Sequence, residues 1–184
     1  MSNLLRGVNL YLIGMMGVGK STVGRLLAQE FGYGFLDTDE VIVKAVGKSI
    51  NQIFADEGEA EFRQLESDVL AQVCAYTKLT IATGGGIVMR QENWGYLRHG
   101  LIVWLDVPVD VLLKRLAEDE TRPLLQDPDP EGKLRSLLQQ RQPLYSQADL
   151  HITITGVETP EEIVTHIMAA IPSVLKSQDS QHQN

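Results

Sequence analysis

The stretch Gly14-Met15-Met16-Gly17-Val18-Gly19-Lys20-Ser21 decides the fold of this chain, because it matches the phosphate-loop pattern G-x-x-x-x-G-K-[ST]. Residues 8–13, which precede it, form the short apolar run typical of a buried strand. Apolar residues follow it at helical spacing: Val23, Leu26, Leu27 and Phe31. A strand therefore leads through a glycine turn into a helix, and the sequence predicts a binding site for a nucleotide triphosphate.

Each residue type in this loop has its own reason to face phosphate. The glycines let backbone N–H groups turn towards phosphate oxygens, the helix N-terminus contributes a partial positive charge, and Lys20 adds a full one. The Ser21 hydroxyl is left to bind Mg²⁺. The alternative is a chance glycine-rich turn, but three glycines, a lysine and a hydroxyl would then have to fall in register by accident.

Composition limits the class of protein. The chain has 184 residues, 43% of them hydrophobic, which is enough to build one compact domain. It carries 16 basic and 24 acidic residues, a net charge of −8, so its surface repels nucleic acid and acidic lipids and we expect neither as a partner. The single cysteine, Cys74, has no second thiol for a disulfide or a zinc site, which favours a reducing cytoplasm.

The chain ends and the apolar runs also favour a cytoplasmic location. Residues 1–7 lead directly into the first predicted strand, which leaves no room for a secretion signal or a transit peptide. Apolar runs such as residues 101–105 are far shorter than the roughly 20 residues needed to cross a bilayer. Residues 176–184 contain no aliphatic side chain, and we expect a disordered tail there.

Strand-like and helix-like segments alternate along the chain. We predict strands at residues 8–13, 34–37, 79–83, 101–105 and 151–154. We predict a helix from residue 20, helical stretches after the second strand through residue 46, and helices at residues 57–76, 91–98, 109–117, 133–145 and 160–171. This alternation predicts an α/β fold with a five-stranded parallel sheet flanked by helices, which binds ligands at the carboxyl ends of its strands. We interpret residues 1–175 as a single domain and the proline-rich residues 117–130 as a lid.

Two carboxylates, Asp37 and Asp39, follow the second predicted strand at the ligand-binding edge of the sheet. In an extended segment, residues two apart point to the same side, so both could face the phosphate loop. One would bind Mg²⁺ through water, and the other would contact a substrate hydroxyl. A turn with a helix cap is the alternative, since aspartate is common in both.

The residues Gly84, Gly85 and Gly86 end the third predicted strand at the same edge. Their lack of side chains would let a small ligand reach backbone N–H groups, although a tight turn would also use glycine. Arg63 lies on a predicted helix next to its apolar face. It could bind a ligand, or it could be a surface residue paired with a neighbouring acid, and the residues alone do not decide between these roles.

Three further arginines are candidate clamps for phosphate or carboxylate groups: Arg115, Arg122 and Arg141. A guanidinium matches two carboxylate oxygens, and one that approaches from a lid can neutralise charge on a transferred phosphoryl group. Exposure to solvent is the alternative for each of them. We interpret Asp106, which follows the fourth strand, as a turn or cap residue rather than as a magnesium ligand. The four histidines share no metal-ligand spacing and are expected to be structural or exposed.

The chain resembles shikimate kinase from residue 9 to residue 171. Six motifs occur in the order and spacing of that family: the phosphate loop, Phe35-Leu36-Asp37-Thr38-Asp39, Phe62-Arg63, Gly84-Gly85-Gly86, Arg122-Pro123-Leu124-Leu125 and Arg141-Gln142-Pro143-Leu144-Tyr145. The resemblance implies a P-loop domain similar to nucleoside monophosphate kinases, with a lid and a substrate-binding insertion at about residues 38–66. It also implies a monomeric enzyme of aromatic amino-acid biosynthesis that uses Mg²⁺ and transfers the terminal phosphoryl group of ATP to the 3-hydroxyl of shikimate.

The resemblance further implies roles for single residues. The implied ATP contacts are Gly17, Val18, Gly19, Lys20, Ser21, Thr22, Arg115 and Arg122, with Arg115 against adenine and Arg122 on the closing lid. Ser21 would bind Mg²⁺ and Asp37 a magnesium-bound water. Asp39 would contact the reactive hydroxyl as a base or a positioning group, and it is implied as catalytic together with Lys20 and Arg122. Arg63 and Arg141 would bind the shikimate carboxylate, and Gly84, Gly85 and Gly86 would contact the substrate through their backbone.

One segment departs from the family, and two other functions remain open. After the last predicted strand, where relatives often carry a basic residue against adenine, this chain has Gly156-Val157-Glu158. The first alternative is another small-molecule kinase of the same architecture, although a substrate without a carboxylate would have no use for Arg63 and Arg141. The second is a catalytically silent relative, which would be expected to have lost catalytic residues that are present here.

Overall fold

The structure is a computed structural model that describes residues 4–119 and 127–179, with side chains up to residue 175. Within these residues, five parallel strands form one sheet in the order β2-β3-β1-β4-β5. Their bounds are Leu10–Ile13 (β1), Gly34–Asp37 (β2), Leu79–Ala82 (β3), Leu101–Asp106 (β4) and Leu150–Thr153 (β5). The predicted α/β fold with a five-stranded parallel sheet is confirmed.

Eight α-helices of the described residues flank this sheet. They are Lys20–Phe31 (α1), Thr38–Val46 (α2), Ile50–Glu57 (α3), Glu59–Val73 (α4), Gln91–Leu97 (α5), Val109–Ala117 (α6), Pro130–Tyr145 (α7) and Pro160–Asp179 (α8). A short 3-10 helix covers Ile87–Met89. No helix in the described ranges is long and apolar enough to span a bilayer.

The order of the strands places the phosphate loop. β1 lies between β3 and β4, so the chain crosses over β1 on its way from β3 to β4. A crevice forms at such a reversal, at the carboxyl ends of the strands, and this is where open α/β sheets bind ligands. The loop that follows β1 lies in that crevice. All residues of β1 and the first five of β4 are buried, which explains why both strands are continuous apolar runs.

Local sequence explains several boundaries of strands and helices that differ from the predictions. The first strand begins at Leu10 rather than at residue 8, because residues 4–7 form a turn before it. Gly47 takes a left-handed conformation with φ 74° and ends α2. Ser49 and Gln52 then form a capping box that starts α3, a separate helix that the sequence did not predict. The predicted insertion at residues 38–66 therefore contains α2, α3 and the first half of α4.

The predicted disordered tail at residues 176–184 is wrong over its first four residues. α8 continues to Asp179, because no glycine or proline follows Pro172 within it to end the helix. Residues 180–184 lie outside the described residues. The same holds for residues 120–126, which include Arg122 and half of the predicted lid.

Asp106 is also placed differently from the prediction. It is the last residue of β4 and caps no helix, since α6 begins after Pro108 without a side-chain cap. Its Oδ2 lies 2.8 Å from Nε2 of His151 on β5. The His151 ring stacks on Trp104 at 3.9 Å between centroids, so this histidine is half-exposed and packed at the edge of the sheet.

Candidate active site

The phosphate loop turns through three glycines with positive φ. Gly14, Gly17 and Gly19 have φ values of 144°, 79° and 97°. A Cβ atom on Gly14 would also lie 2.5 Å from the carbonyl oxygen of Leu105 in β4. The loop therefore needs glycine for its conformation and for its close approach to the sheet.

The N-terminus of α1 is arranged to receive an anion. Its capping residue, Gly19, makes no side-chain hydrogen bond, and its first turn contains no acidic residue. The first N–H groups of the helix keep their partial positive charge for a ligand, as at other phosphate-binding helices. The loop and this first turn contain Gly17, Val18, Ser21 and Thr22, which the sequence predicts as ATP contacts.

Lys20 folds back over the loop from the first position of α1. Its Nζ donates hydrogen bonds to the carbonyl oxygens of Gly14 at 2.7 Å and Met15 at 2.8 Å. The residue is only 9% exposed. Its ammonium group is therefore held against the phosphate loop rather than extended into solvent.

Ser21 and Asp37 meet beside the phosphate loop. The Ser21 hydroxyl donates a hydrogen bond to Oδ2 of Asp37. The other oxygen, Oδ1, accepts the N–H groups of Asp39 at 2.9 Å and Glu40 at 3.3 Å, so Asp37 also caps α2. Asp37 therefore caps a helix, as the alternative interpretation predicted, and also lies beside the phosphate loop.

This pair fits a magnesium ion. A hydroxyl and a carboxylate are the oxygen donors that Mg²⁺ prefers, and protein sites for this ion commonly supply one or two side chains while phosphates and water complete the shell. Among the described residues, no group of three or more His, Cys, Asp or Glu side chains is placed to hold a metal.

Asp39 has a different environment from Asp37, and the predicted reason for pairing them is wrong. Asp37 ends β2, whereas Asp39 lies in the first turn of α2, so strand alternation does not relate their side chains. Oδ1 of Asp39 lies 3.0 Å from the position that a Cβ atom on Gly84 would occupy. The change from strand to helix therefore directs Asp37 to Ser21 and Asp39 to the glycines that follow β3.

Residues 84–86 are surrounded by charged side chains. A Cβ atom on Gly85 would lie 3.2 Å from Nη1 of Arg141, and one on Gly86 would overlap the guanidinium of Arg63. A side chain at Gly86 would displace Arg63, whereas one at Gly85 would require Arg141 to shift by only a few tenths of an ångström. Within the described part of the chain, the N–H groups of Gly85 and Gly86 donate no hydrogen bond, which leaves both donors available to a ligand.

Arg63 is held in place by Glu66 on the same helix. Its Nη1 lies 2.6 Å from Oε2 of Glu66, and its Nη2 lies 3.3 Å from Oε1 of Glu59. The Arg63 side chain is 15% exposed and that of Glu66 is 1% exposed, whereas Glu59 is 68% exposed. Arg63 is therefore not a solvated surface residue, and its main partner is a buried carboxylate.

Glu66 is a site residue that the sequence analysis did not single out. From the sequence it is one of several acids that could pair with Arg63 at the surface. Its position in the sequence does indicate burial, because it lies four residues after Phe62 and three before Val69, on the apolar side of α4. Burial raises the pKa of Glu66, the charge of Arg63 opposes that rise, and the charge of Asp39 adds to it.

Arg141 reaches the same cluster from α7 and is 6% exposed. Its Nε and Oε1 of Glu66 are buried and have no hydrogen-bond partner among the described residues. Buried polar atoms are normally paired, so these two atoms indicate where a polar ligand or water would bind. Two guanidinium groups from separate helices thus meet at Gly85 and Gly86, an arrangement suited to a carboxylate.

Arg115 contacts the backbone of the phosphate loop. Its Nη1 donates to the carbonyl oxygens of Gly17 and Val18, each at 3.2 Å. The sequence does not reveal this contact, because the partners are nearly a hundred residues apart. Arg122, which is also predicted to contact ATP, lies outside the described residues.

The loop after β5 is stiffened by Glu158. Its carboxylate accepts the N–H groups of Thr155 and Gly156, each at 3.0 Å, and the Thr155 hydroxyl at 3.0 Å. Hydrogen bonds from backbone N–H groups, its own first and that of Thr155 next, lower the pKa of Glu158 to about 2. Val157 is 87% exposed at the tip of this loop.

Known proteins resemble this chain over nearly its whole length. The model of the shikimate kinase family matches residues 16–172. A shikimate kinase of Nostoc punctiforme is 74% identical over 180 residues, which are 98% of this chain and 99% of that protein. A solved shikimate kinase from Acinetobacter baumannii in complex with shikimate is 40% identical with a TM-score of 0.88, over 94% of this chain and 98% of that one. The Aquifex aeolicus shikimate kinase is 38% identical with a TM-score of 0.77, over 90% and 96% of the two chains.

Proposed function

The chain belongs to the shikimate kinase family and phosphorylates shikimate in aromatic amino-acid biosynthesis, and from this premise we propose how its residues carry out the reaction. ATP is the co-substrate. The 3-hydroxyl oxygen of shikimate attacks the terminal phosphorus of ATP, and the bond from that phosphorus to the bridging oxygen breaks. The hydroxyl proton is released, and the products are shikimate 3-phosphate and ADP.

The phosphates of ATP are assigned to residues 14–22. Backbone N–H groups from Gly17 to Thr22 would surround them, and the Lys20 ammonium, already held at the loop, would neutralise their charge. Arg115 would keep the loop in shape from α6 and lie against adenine. Arg122 would approach with the lid and stabilise charge on the transferred phosphoryl group.

Ser21 and Asp37 would hold Mg²⁺, with Asp37 acting through a bound water. When bound, the ion neutralises charge on the phosphate oxygens during transfer. The contribution of the chain is to fix two oxygen donors, one on the first turn of α1 and the other at the cap of α2.

The acceptor is assigned to the charged cluster around residues 84–86. Arg63 and Arg141 would bind the shikimate carboxylate, and the N–H groups of Gly85 and Gly86 would contact its polar groups. Asp39, near Gly84, would accept the proton of the reacting hydroxyl or hold that hydroxyl by a hydrogen bond. Lys20, Asp39 and Arg122 are therefore the proposed catalytic residues.

One observation carries this assignment. Two arginines from separate helices, the partly buried Arg63 and the buried Arg141, meet at adjacent glycines close to the phosphate loop. A Cβ atom on Gly85 would lie 3.4 Å from the backbone nitrogen of Met16, so the acceptor cluster and the loop are neighbours. A carboxylate between the arginines would therefore bring an organic acid next to the phosphates of ATP.

An acceptor panel tests the substrate. Purified protein with ATP and Mg²⁺ is expected to phosphorylate shikimate but not gluconate or a nucleoside monophosphate. Arg63→Lys is expected to raise the KM for shikimate more than that for ATP, because lysine loses the bidentate contact. Turnover of another acceptor without shikimate turnover would overturn the substrate assignment, and equal rises in both KM values would argue against the role of Arg63.

We also propose a monomeric, cytoplasmic enzyme that depends on Mg²⁺ and does not bind nucleic acid. The net charge of −8 supports the last point. Light scattering is expected to give the monomer mass of 20.4 kDa, and a higher mass would refute the monomer. Chelation with EDTA is expected to abolish turnover, and added Mg²⁺ to restore it.

A further inference from the structure

Tyr145 connects the acceptor cluster with the phosphate loop. It is the last residue of α7 and is fully buried. Its hydroxyl donates a 2.6 Å hydrogen bond to the carbonyl oxygen of Gly85 and lies 3.6 Å from Sδ of Met15 in the phosphate loop. One phenol therefore touches two segments that are far apart in the sequence and adjacent in the site.

The bond to Gly85 determines the direction of a neighbouring donor. The carbonyl of Gly85 and the N–H of Gly86 belong to one planar trans peptide, in which the two groups point in opposite directions. Holding the carbonyl at Tyr145 therefore turns the N–H of Gly86 away from the phenol. This N–H has no hydrogen-bond partner among the described residues and lies beside Arg63.

The phenol is itself fixed. Its ring stacks on Trp104 at 5.7 Å between centroids, and Trp104 stacks in turn on His151. Burial raises the pKa of Tyr145 to about 12, although the charge of Arg141 opposes this rise. A pKa raised above its usual value keeps the hydroxyl protonated at any pH used in an assay, so it remains a donor to Gly85.

We propose that Tyr145 is a positioning residue for the kinase reaction. Its hydroxyl orients the peptide between Gly85 and Gly86 so that the N–H of Gly86 is directed at the acceptor, and its contact with Met15 keeps this peptide in register with the phosphate loop. The proposal rests on the proposed placement of the acceptor. It assigns no chemical step to the phenol.

Tyr145→Phe tests this role, because it removes only the hydroxyl and keeps the stacked ring. Loss of one oriented hydrogen bond is expected to raise the KM and the Kd for shikimate by about tenfold, and to change the KM for ATP by less than about twofold. Tyr11→Phe is the matched control. Tyr11 is equally buried, and its hydroxyl, 3.5 Å from Nδ2 of Asn9, lies away from the phosphate loop. It is expected to leave both KM values unchanged.

The outcomes separate this proposal from the assignment of the substrate. Shikimate turnover by the unmodified protein tests the substrate, whereas the two tyrosine variants test Tyr145. Equal changes in both KM values, or no change in Tyr145→Phe, would overturn the positioning role.

A measurement on the unmodified protein keeps the proposal testable even if Tyr145→Phe does not fold. In protein with ¹⁵N-labelled glycine, saturating shikimate is expected to slow exchange of the Gly86 amide by about tenfold or more, and to leave Gly95 on α5 unaffected. Unchanged exchange at Gly86 would show that its N–H is not directed at the acceptor.

Discussion

The carboxylate of Glu66 lies 2.6 Å from the guanidinium of Arg63 and is almost completely buried. A charge in that position is stable only when it is paired, and Arg63 provides the pairing. The same carboxylate lies near Asp39, whose charge raises the pKa of Glu66. Glu66 therefore orients one proposed ligand of the acceptor and also contributes to the electrostatic environment of the proposed base.

Glu66→Gln is expected to raise the KM for shikimate by about tenfold, because a neutral amide orients Arg63 less strongly than a carboxylate does. Steady-state kinetics with each substrate varied in turn provide the measurement. Glu59→Gln is the control on the same helix, since Glu59 also pairs with Arg63 but is exposed, and such pairs contribute little. Similar effects of both substitutions would contradict the importance of the buried pair.

Gly86→Ala is expected to displace Arg63 without unfolding the protein. The added Cβ atom would overlap the end of the Arg63 side chain, while φ of −93° at Gly86 suits alanine. We expect the KM for shikimate to rise by about tenfold or more, and the free energy of unfolding to fall by about 1–3 kcal/mol, because moving Arg63 weakens its pairing with the buried Glu66 carboxylate.

Gly95→Ala is the control for that variant, because a Cβ atom there meets nothing within 4 Å. Gly95 lies inside α5, where alanine is favoured by about 1 kcal/mol, so this variant is expected to be more stable and to have unchanged kinetics. Normal shikimate binding by Gly86→Ala would show that residues 84–86 do not confine Arg63.

Asp39→Asn is expected to keep ADP binding and to lower kcat by about 100-fold or more, because the amide cannot accept the hydroxyl proton. Calorimetry with ADP and a coupled assay with shikimate measure the two effects. Glu40→Gln is the control, since Glu40 is the next residue on α2 but pairs with Arg25 in solvent. Unchanged kcat in Asp39→Asn would remove this residue from the mechanism.

Glu158→Gln is expected to make the free energy of unfolding less dependent on pH in the acidic range. The pKa of Glu158 is lowered to about 2 in the folded protein, so its ionised form stabilises the fold above the ordinary pKa near 4.5. That contribution is lost as the pH falls from about 5 towards 2. Chemical denaturation between pH 7 and pH 3 is expected to show a stability difference between the two proteins that shrinks with falling pH.

Glu30→Gln serves as the matched control, since it removes one exposed negative charge from α1 and leaves the hydrogen bonds of the Glu158 loop intact. Its difference from the unmodified protein is expected to vary less across the same pH range. A constant difference for Glu158→Gln would argue against the hydrogen-bonded carboxylate.

Much of the fold could be predicted because its signals are local. Each signal depends on residues that are only a few positions apart in the sequence. These signals are the phosphate loop, the apolar runs of β1 and β4, and the pattern of each strand or helix in the alternation. The incorrect predictions at α3 and at the end of α8 also have causes in the nearby sequence. α3 was missed because its capping box follows a glycine stop at Gly47, and the extent of α8 was underestimated because polarity was taken as disorder although nothing in the segment ends a helix.

The candidate site was only partly predictable. The phosphate-loop motif indicated Lys20 and Ser21, and the end of the second strand indicated Asp37. The placement of these residues beside each other depends only on β1, α1 and β2, which follow one another along the chain. Strand alternation gave a wrong reason for Asp39, because the chain has already entered α2 at that point. The assignments of individual residues to ATP, Mg²⁺ and shikimate stay predictions.

By itself, the sequence determined the family, the parallel sheet and the loop for phosphate, since each depends on the order of neighbouring residues and on the geometry of one strand, turn or helix. Only the tertiary structure decided that Glu66 is buried beneath Arg63, that Arg63 and Arg141 meet at Gly86 and Gly85, and that Tyr145 holds Gly85. These contacts join residues from α4, α7 and the end of β3. Their distances depend on how the helices pack against the sheet, and no pattern within a single segment specifies that packing.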